Sequence, residues 1–405
     1  MIRRLVVFAL HQPFFVALLG VLFVAGGLIA FARLPIEAFP DVSDIQATVI
    51  TLYPGRAPEE VEQQVTMPLE TSLNGLPHMV RMFSHTQFGL SFIMLTFDDR
   101  ATDASARQQV LERLSSVDLP PGVSPQLAPL STAIGEIYRF RLKGEGADSR
   151  DLRTLEDWVV ERNLRGVPGV ADVVSFGGPV KTYEVNPDLA RLRYYGISLQ
   201  QLYAALNRGN SNVGGSKVTE GEQQYLIRGV GLLRSADEIR GIVLSARGGV
   251  PVRVRDVADV TIGNLPVEGI VGQDADDDVV TGIVLMRKGE NPSEVLAALK
   301  QRVALLNDTL LPKGVKIVPF YDRTWLIHTT LETVFGNLTE GALLVTLILL
   351  LFLGNLRAAL IVAAVIPLSL LATFIGLTWR GIPANLLSLG AMDFGIIVDG
   401  AVIIG

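Results

Sequence analysis

The sequence predicts an α+β membrane protein: a few helices that cross a bilayer and, between them, one large water-facing insert of mixed helix and strand. Three observations predict it. The 405 residues are 49% hydrophobic and 19% charged, with a mean hydropathy of +0.38. That is too apolar for an ordinary soluble enzyme and too polar for membrane helices alone. Long apolar runs sit near the two ends, whereas residues 34–328 hold none. Within that middle stretch, short motifs recur at fixed offsets, the mark of repeated structural units.

The formal charge of -6 leaves no basic footprint for nucleic acid. The absence of cysteine excludes disulfides and thiolate metal sites, and is compatible with a periplasmic insert.

Taken in order, Arg3 and Arg4 precede an unbroken apolar run, Pro13 to Phe31, long enough to span. Arginines ahead of the run favour a cytoplasmic N-terminus. A signal peptide is the competing reading, because Ala30-Phe31-Ala32 resembles a cleavage site. Export of the next segment follows either way. Ile45 to Tyr53 alternates and is rich in β-branched residues, so it reads as a strand, closed by a turn at Tyr53-Pro54-Gly55. Pro58 to Leu73 reads as a helix with Val61, Val65 and Leu69 along one side. Pro68 within it should kink the helix or end it early.

Two echoes follow. Asn74-Gly75-Leu76-Pro77 leading to Ser84 is matched by Arg165-Gly166-Val167-Pro168 leading to Ser175, an offset of 166 − 75 = 91. Leu119-Pro120-Pro121-Gly122-Val123 is matched by Leu311-Pro312-Lys313-Gly314-Val315, an offset of 311 − 119 = 192. Each copy follows a helical pattern: Pro58–Leu73 and Asp151–Leu164 for the first, Ala104–Leu114 and Ser293–Leu306 for the second. The larger offset predicts two similar α/β units, the second split by an insertion of about a hundred residues between Lys181 and Asn291. Inside the insertion, Ser198 to Leu206 reads as a short helix. Asn207 to Gly221, rich in Gly, Asn and Ser, reads as a long hairpin or protruding loop. Gly214-Gly215 lacks the strand, helix and Lys-Ser/Thr context of a phosphate loop.

Apolar segments resume at Leu338 to Leu353 and at Ala358 to Leu377, joined by a tight polar loop at Gly354-Asn355-Leu356-Arg357. Pro367 is tolerable in a membrane helix. Trp379-Arg380-Gly381-Ile382-Pro383 reads as the next loop, with Trp379 at interface height. Counted from a cytoplasmic start, Arg357 is cytoplasmic and the insert is outside. The last stretch, Asn385 to Gly405, is apolar but carries Asp393 and Asp399. Each acid costs ~2.5–3.5 kcal/mol at a bilayer centre, so the pair reads as a site for ions or protons. On a helix the two lie roughly 120° apart and about 9 Å along the axis.

Metal-ligand signals are thin. His11, His78, His85 and His328 show no paired spacing. Met67, Met79, Met82 and Met94 suit a soft-metal path or, more ordinarily, core filler. Asp274, Asp276, Asp277 and Asp278 fail the calcium-loop template, because its last ligand position is Leu285, and read as a solvated turn.

Several stretches resemble one known family. They include Leu34-Pro35-Ile36-Glu37-Ala38-Phe39-Pro40-Asp41, Ile134-Gly135-Glu136-Ile137-Tyr138, and the run from Leu152 to Val160. Val167 to Val173 and Asn212-Val213-Gly214-Gly215 add to them, and the most specific is Met392-Asp393-Phe394-Gly395-Ile396-Ile397-Val398-Asp399-Gly400-Ala401-Val402. Over essentially the whole chain they are similar to the resistance–nodulation–division (RND) exporters, most of all to the heavy-metal efflux branch.

The resemblance implies ferredoxin-like α/β porter subdomains with a docking subdomain inserted in the second. The implied boundaries are 1–33 for the first transmembrane helix, 34–131 for the first porter subdomain, 132–187 with 266–330 for the second, 188–265 for the docking subdomain, and 331–405 for transmembrane helices two to four. It implies a proton relay at Asp393 and Asp399, and a docking loop at Asn212, Gly214 and Gly215 that reaches into the next protomer of a homotrimer. It further implies a multi-pass protein of the bacterial inner membrane with a large periplasmic domain. A periplasmic adaptor and an outer-membrane channel would be its partners. The activity would be proton antiport of a heavy-metal cation, divalent before monovalent copper or silver, by a secondary transporter with no cofactor. Metal ligands are not assigned, because most substrate-site residues of the family belong to a second half; its members are roughly twice this long. A multidrug exporter of the same family, and a non-transporting membrane-anchored periplasmic module, are the alternative readings.

Overall fold

The computed structural model describes residues 11–385, apart from 38–41, 133, 248, 268 and 355. The first helix, α1 (Pro13–Arg33), opens with proline at its first turn and spans about 31 Å at ~1.5 Å per residue. Most of its side chains are exposed, Phe14 at 81% and Val21 at 66%, as befits a helix whose natural solvent is lipid. A two-residue strand, β1 (Ile36–Glu37), follows at once.

The first α/β unit begins with β2 (Ile45–Leu52), whose Ala47, Val49 and Thr51 turn inward. Helix α2 comprises Pro58–Val61, a π turn at Glu62–Thr66, and Met67–Leu73. Val61, Val65, Leu69 and Leu73 are all fully buried. A strict spacing of four drifts by roughly 40° per step on a helix of 3.6 residues per turn; the wider π turn takes up part of that drift. It also settles Pro68. The helix does not end early, because the ladder opens just before the proline, with Met67 N–H bonding to Glu62 O, and it runs on to Leu73.

Next come β3 (Met79–Gln87), β4 (Leu90–Phe97), α3 (Asp103–Leu114) and β5 (Pro125–Leu127). Thr102 and Ser105 form a capping box at the start of α3. The strands make one antiparallel sheet in the order β3-β4-β2-β5, which is the ferredoxin-like arrangement.

The second unit repeats this plan. Strand β6 (Glu136–Gly144) leads into α4, which is Ser149–Leu155, a π turn at Glu156–Val160, and Glu161–Arg165. Strand β7 (Val170–Phe176) follows. Where the first unit turns on Phe88 and Gly89, the second departs into residues 177–280.

That insertion leaves on β8 (Lys181–Pro187). It continues through α5 (Leu189–Tyr195), α6 (Leu199–Gly209), and the hairpin of β9 (Val213–Glu220) and β10 (Gln223–Gly229). Then come α7 (Ala236–Gly241), β11 (Val243–Arg247), β12 (Val250–Arg253) and α8 (Val254–Val257), and it returns on β13 (Ala258–Asn264). Strands β8 and β13 pair antiparallel from Lys181–Asn264 to Pro187–Ala258, so one ladder carries the insertion out and back. Its core gathers Leu192, Ile197, Leu202, Ile239, Val254 and Val260. The expected helix at Ser198 is present as α6, with Ser198 as its cap and Gln201 closing a capping box.

Strand β14 (Thr281–Met286), α9 (Pro292–Leu305) with a closing π turn at Leu306–Leu310, and β15 (Val315–Asp322) complete the second sheet, ordered β15-β6-β14-β7 and antiparallel throughout. The second echo is one turn built twice. Val123 N–H bonds to Pro120 O and Val315 N–H to Pro312 O, both at 3.0 Å, around Gly122 and Gly314 at φ +84° and +90°. Only glycine takes that conformation without strain.

Helix α10 (Arg323–Leu353) starts where β15 ends, fifteen residues ahead of the run predicted from Leu338. The reason is local: Asp322 closes the strand and caps the helix, accepting from Thr324 N–H at 2.8 Å. Gly354 at φ +59° ends α10, and α11 (Leu356–Arg380) passes through Pro367. Trp379 and Arg380 belong to its last turn and not to the loop expected there. Strand β16 (Ala384–Asn385) ends the described chain.

Candidate functional site

The membrane end is assembled by small residues and rings. Gly27 of α1 lies so close to Leu371 of α11 that an added Cβ would stand 2.6 Å from Leu371 Cβ. Phe31 meets Phe374 at 5.0 Å and Phe335 edge-on at 5.5 Å between ring centroids. Thr378 Oγ1 donates to Ala30 O at 3.2 Å. Above this contact, β1 and β16 pair in parallel, Ile36 with Ala384 and Glu37 with Asn385, and Ala384 N–H bonds to Pro35 O at 2.9 Å. Ile36 also packs on the hydrophobic core of the second unit. This strap ties the chain leaving α1 to the chain entering the acid-bearing segment. Asp393 and Asp399 themselves lie outside the described residues.

The stretch expected as a hairpin or protruding loop, Asn207 to Gly221, divides: Asn207 to Gly209 close helix α6, and the hairpin runs from Val213 to Gly229, with its second arm beyond the expected end. Asn212 sits at its root, where its Oδ1 accepts from Gly231 N–H at 3.1 Å; Asn210 Oδ1 accepts from Leu233 N–H at 3.0 Å. The two amides staple both arms to the end of α6. Gly214 pairs with Arg228 in the ladder, and Gly215 lies in the stretch where the register slips between Leu226 and Arg228. Gly221 makes the tip at φ +65°. Tyr225 and Leu226 are exposed on the second arm, at 50% and 71%.

The sequence-level metal signals do not converge. His78, itself at φ +65°, faces Asp98 at 3.3 Å, and His328 faces Glu332 at 3.2 Å. The Asp98 carboxyl is held below its usual range, first by the Arg100 N–H, with His78 adding to the effect. Asp276 binds Arg141 at 3.1 Å and Asp278 Oδ1 accepts from Gly178 N–H at 2.9 Å, so half of the acidic cluster serves as turn and tether. Met79 and Met82 pack on the first unit's core, whereas Met94 lies on the other face of β4 and Met67 is 52% exposed. Among the described residues no three His, Cys, Asp or Glu side chains gather to hold a metal ion.

Two features were not foreseen. A polar cavity of about 310 Å³ lies between the units, lined by Asp44, Asp103, Ser131, Thr132 and Lys288, with Lys288 Nζ 3.5 Å from Asp103. Its two sides are too far apart in sequence for any local pattern to announce it. The other is Glu156, a fully buried carboxyl in α4. Here a signal existed, because the offset of 91 sets Glu156 against Val65.

The sequence pattern of the AcrB/AcrD/AcrF family matches residues 5–404. A cation efflux system protein CzcA of Alcaligenes sp. (strain CT14) is 44% identical over all of this chain and 39% of its own length. A cobalt-zinc-cadmium resistance protein CzcA of Cupriavidus metallidurans is 44% identical with the same coverage. A crystal structure of a heavy metal efflux pump superposes with a TM-score of 0.92 at 46% identity, over 99% of this chain and 40% of that one. The chain thus spans about two fifths of the length of these relatives.

Proposed function

From its membership of the AcrB/AcrD/AcrF family, to which this chain belongs, we propose that it is the N-terminal portion of a proton-driven exporter of heavy-metal cations in the bacterial inner membrane. Such a protein is a secondary active transporter and not an enzyme. The observation that carries the reading is the end-to-end likeness to a heavy metal efflux pump. The cargo class follows the relative that confers cobalt, zinc and cadmium resistance, so the proposed substrate is a divalent cation.

Within this reading the two ferredoxin-like units are porter subdomains, 34–131 and 132–187 with 266–330. Residues 188–265 are the docking subdomain, and the hairpin from Asn212 is its contact with the next protomer of a trimer. The exposed Tyr225 and Leu226 support that role, since large apolar side chains on a projecting ribbon are suited to burial against a partner. A periplasmic adaptor and an outer-membrane channel complete the assembly. Asp393 and Asp399 carry the protons. The cost of two acids in one apolar segment supports this assignment, as does the strap that fixes the entry to that segment.

The test is transport. The chain, expressed with the C-terminal remainder of a full-length exporter in everted membrane vesicles, takes up zinc, cobalt or cadmium when the lumen is acidified. Uptake of drug-like dyes and of no metal would move the assignment to multidrug export. No uptake of either would leave a non-transporting module.

A further inference from the structure

Inside the second unit a carboxyl occupies a place where a packed core takes hydrocarbon. Glu156 is fully buried at the opening of the π turn in α4. Its counterpart at the repeat offset, Val65, is fully buried as well. The strand facing Glu156 is thinned to receive it. At Gly282 of β14 a Cβ would stand 2.3 Å from Phe140 Cζ and 2.7 Å from Glu156 Oε1. Gly282 pairs with Ser175 just as Ile93 pairs with Ser84 in the first unit. Valine and isoleucine in one unit are thus glutamate and glycine in the other, and the space is shaped for the acid.

Counting hydrogens sets the state of that acid. Ser175 Oγ lies 3.4 Å from Glu156 Oε1 and 3.3 Å from Glu161 Oε2. A hydroxyl has one hydrogen, so it can donate to one carboxylate only; the other contact is a hydrogen bond only if that carboxyl brings its own proton. Glu161 has a cation, Arg165, at 2.8 Å, and Arg165 also holds Asp172. The nearest cation to Glu156 along its helix, Arg153, is engaged by Asp157 at 2.9 Å and by Gly177 O. The proton therefore belongs on Glu156. Its Oε2 has no partner, which a neutral acid tolerates far better than a buried charge would.

We infer that Glu156, Ser175 and Glu161 form a proton-binding site in the extramembrane part of the chain, with Glu156 holding the proton and Ser175 and Glu161 leading it to solvent. Burial first, then the charges of Asp157 and Glu161, push the Glu156 carboxyl up to about 8, while the charge of Arg153 pulls the other way. From the facing strands Ser175 of β7 contacts it, and Gly282 of β14 with Phe140 of β6 borders it; none of the three is a carboxyl, an amine or an imidazole. Above that pH a bare charge sits between α4 and its sheet and favours their separation, so the site reports alkalinity on the side where the insert lies. It stands on this unit's geometry alone and does not depend on the transport reading.

Infrared difference spectroscopy of the full chain in detergent, followed as the pH is raised, tests it. With Asp393→Asn and Asp399→Asn in the background, so that the membrane acids contribute no band, the chain is expected to keep one carboxylic-acid C=O band above about pH 6, where ordinary carboxyls are ionised, and to lose it near pH 8. Glu156→Gln, which keeps the shape and a donor, is expected to lack the band. Glu161→Gln is expected to move the midpoint down. A spectrum of that background chain without the band above about pH 6, or the same band once Glu156→Gln is added to it, overturns the assignment.

Discussion

Ser175 gives its hydroxyl hydrogen to the carboxylate of Glu161, fourteen residues before it, and Ser84 bonds Glu70 across the same interval. Each pair stitches the last turns of a helix to the strand that follows. Ser84→Ala is expected to cost about 1.5–3 kcal/mol, the worth of one hydrogen bond to a charged acceptor. In a double-mutant cycle with Glu70→Gln the two effects should be non-additive, read from thermal midpoints in detergent; strict additivity would show that the bond contributes nothing.

The pH dependence of stability carries the signature of Glu156. Its folded-state value of about 8 stands above its ordinary 4.5, so between those limits the folded chain holds a proton that the unfolded chain releases. The contribution is full below about 4.5 and falls as pH rises towards 8, by on the order of 1.4 kcal/mol per pH unit. Glu156→Gln should flatten that slope and be the more stable protein at pH 9, as measured by unfolding across the range.

Gly282→Ala is expected to destabilise by about 1–3 kcal/mol, because the new methyl meets Phe140 and Glu156 in a packed core. Gly241→Ala, outside the docking hairpin, serves as the control. No atom lies within 4 Å of its added Cβ, and its thermal midpoint should be unchanged.

Asp322 is held below the ordinary carboxylate range although burial works to raise it; bonds from Lys300 and Thr324 prevail. Its contribution is present above the usual 3.8 and lost as pH falls through the lower folded value. Asp322→Ala removes the cap of α10 and should cost about 1 kcal/mol. Lys300→Met should cost less, and its effect should shrink in high salt. Thermal unfolding at two ionic strengths checks both.

Asp393→Asn and Asp399→Asn should each abolish metal uptake in vesicles without lowering the amount of inserted protein. Retained uptake in the double variant would remove the relay role.

Much of the fold was legible because it rests on short-range rules. The strand at Ile45 and the helices at Pro58, Ser198 and Ser293 follow from alternation, caps and periodicity. The split repeat was legible because both units reuse the same turns at the same offsets. The early end allowed for at Pro68 does not occur, since propensity says where a proline strains a helix but not that a π turn will open the ladder ahead of it. The start of α10 was missed because Arg323 to Asn337 is too polar to read as a membrane run, and its helicity comes from the Asp322 cap and the packing beneath it. Of the site residues, Asn212 and Gly214 stand in the hairpin whose composition marked it. The cavity between Asp103 and Lys288 depends on contacts between distant segments, which no local pattern encodes.

Strand β15 passes into α10 with no intervening loop, and Lys300 bolts the junction from the side, with its Nζ on Asp322 and on Thr324. Helix α10 is 31 residues, or about 46 Å, against a hydrocarbon thickness of about 30 Å. It is a lever without a wrist. A rocking of about 10° at its far end would swing the attached unit through about 8 Å over that length, with no slack peptide to absorb the stroke.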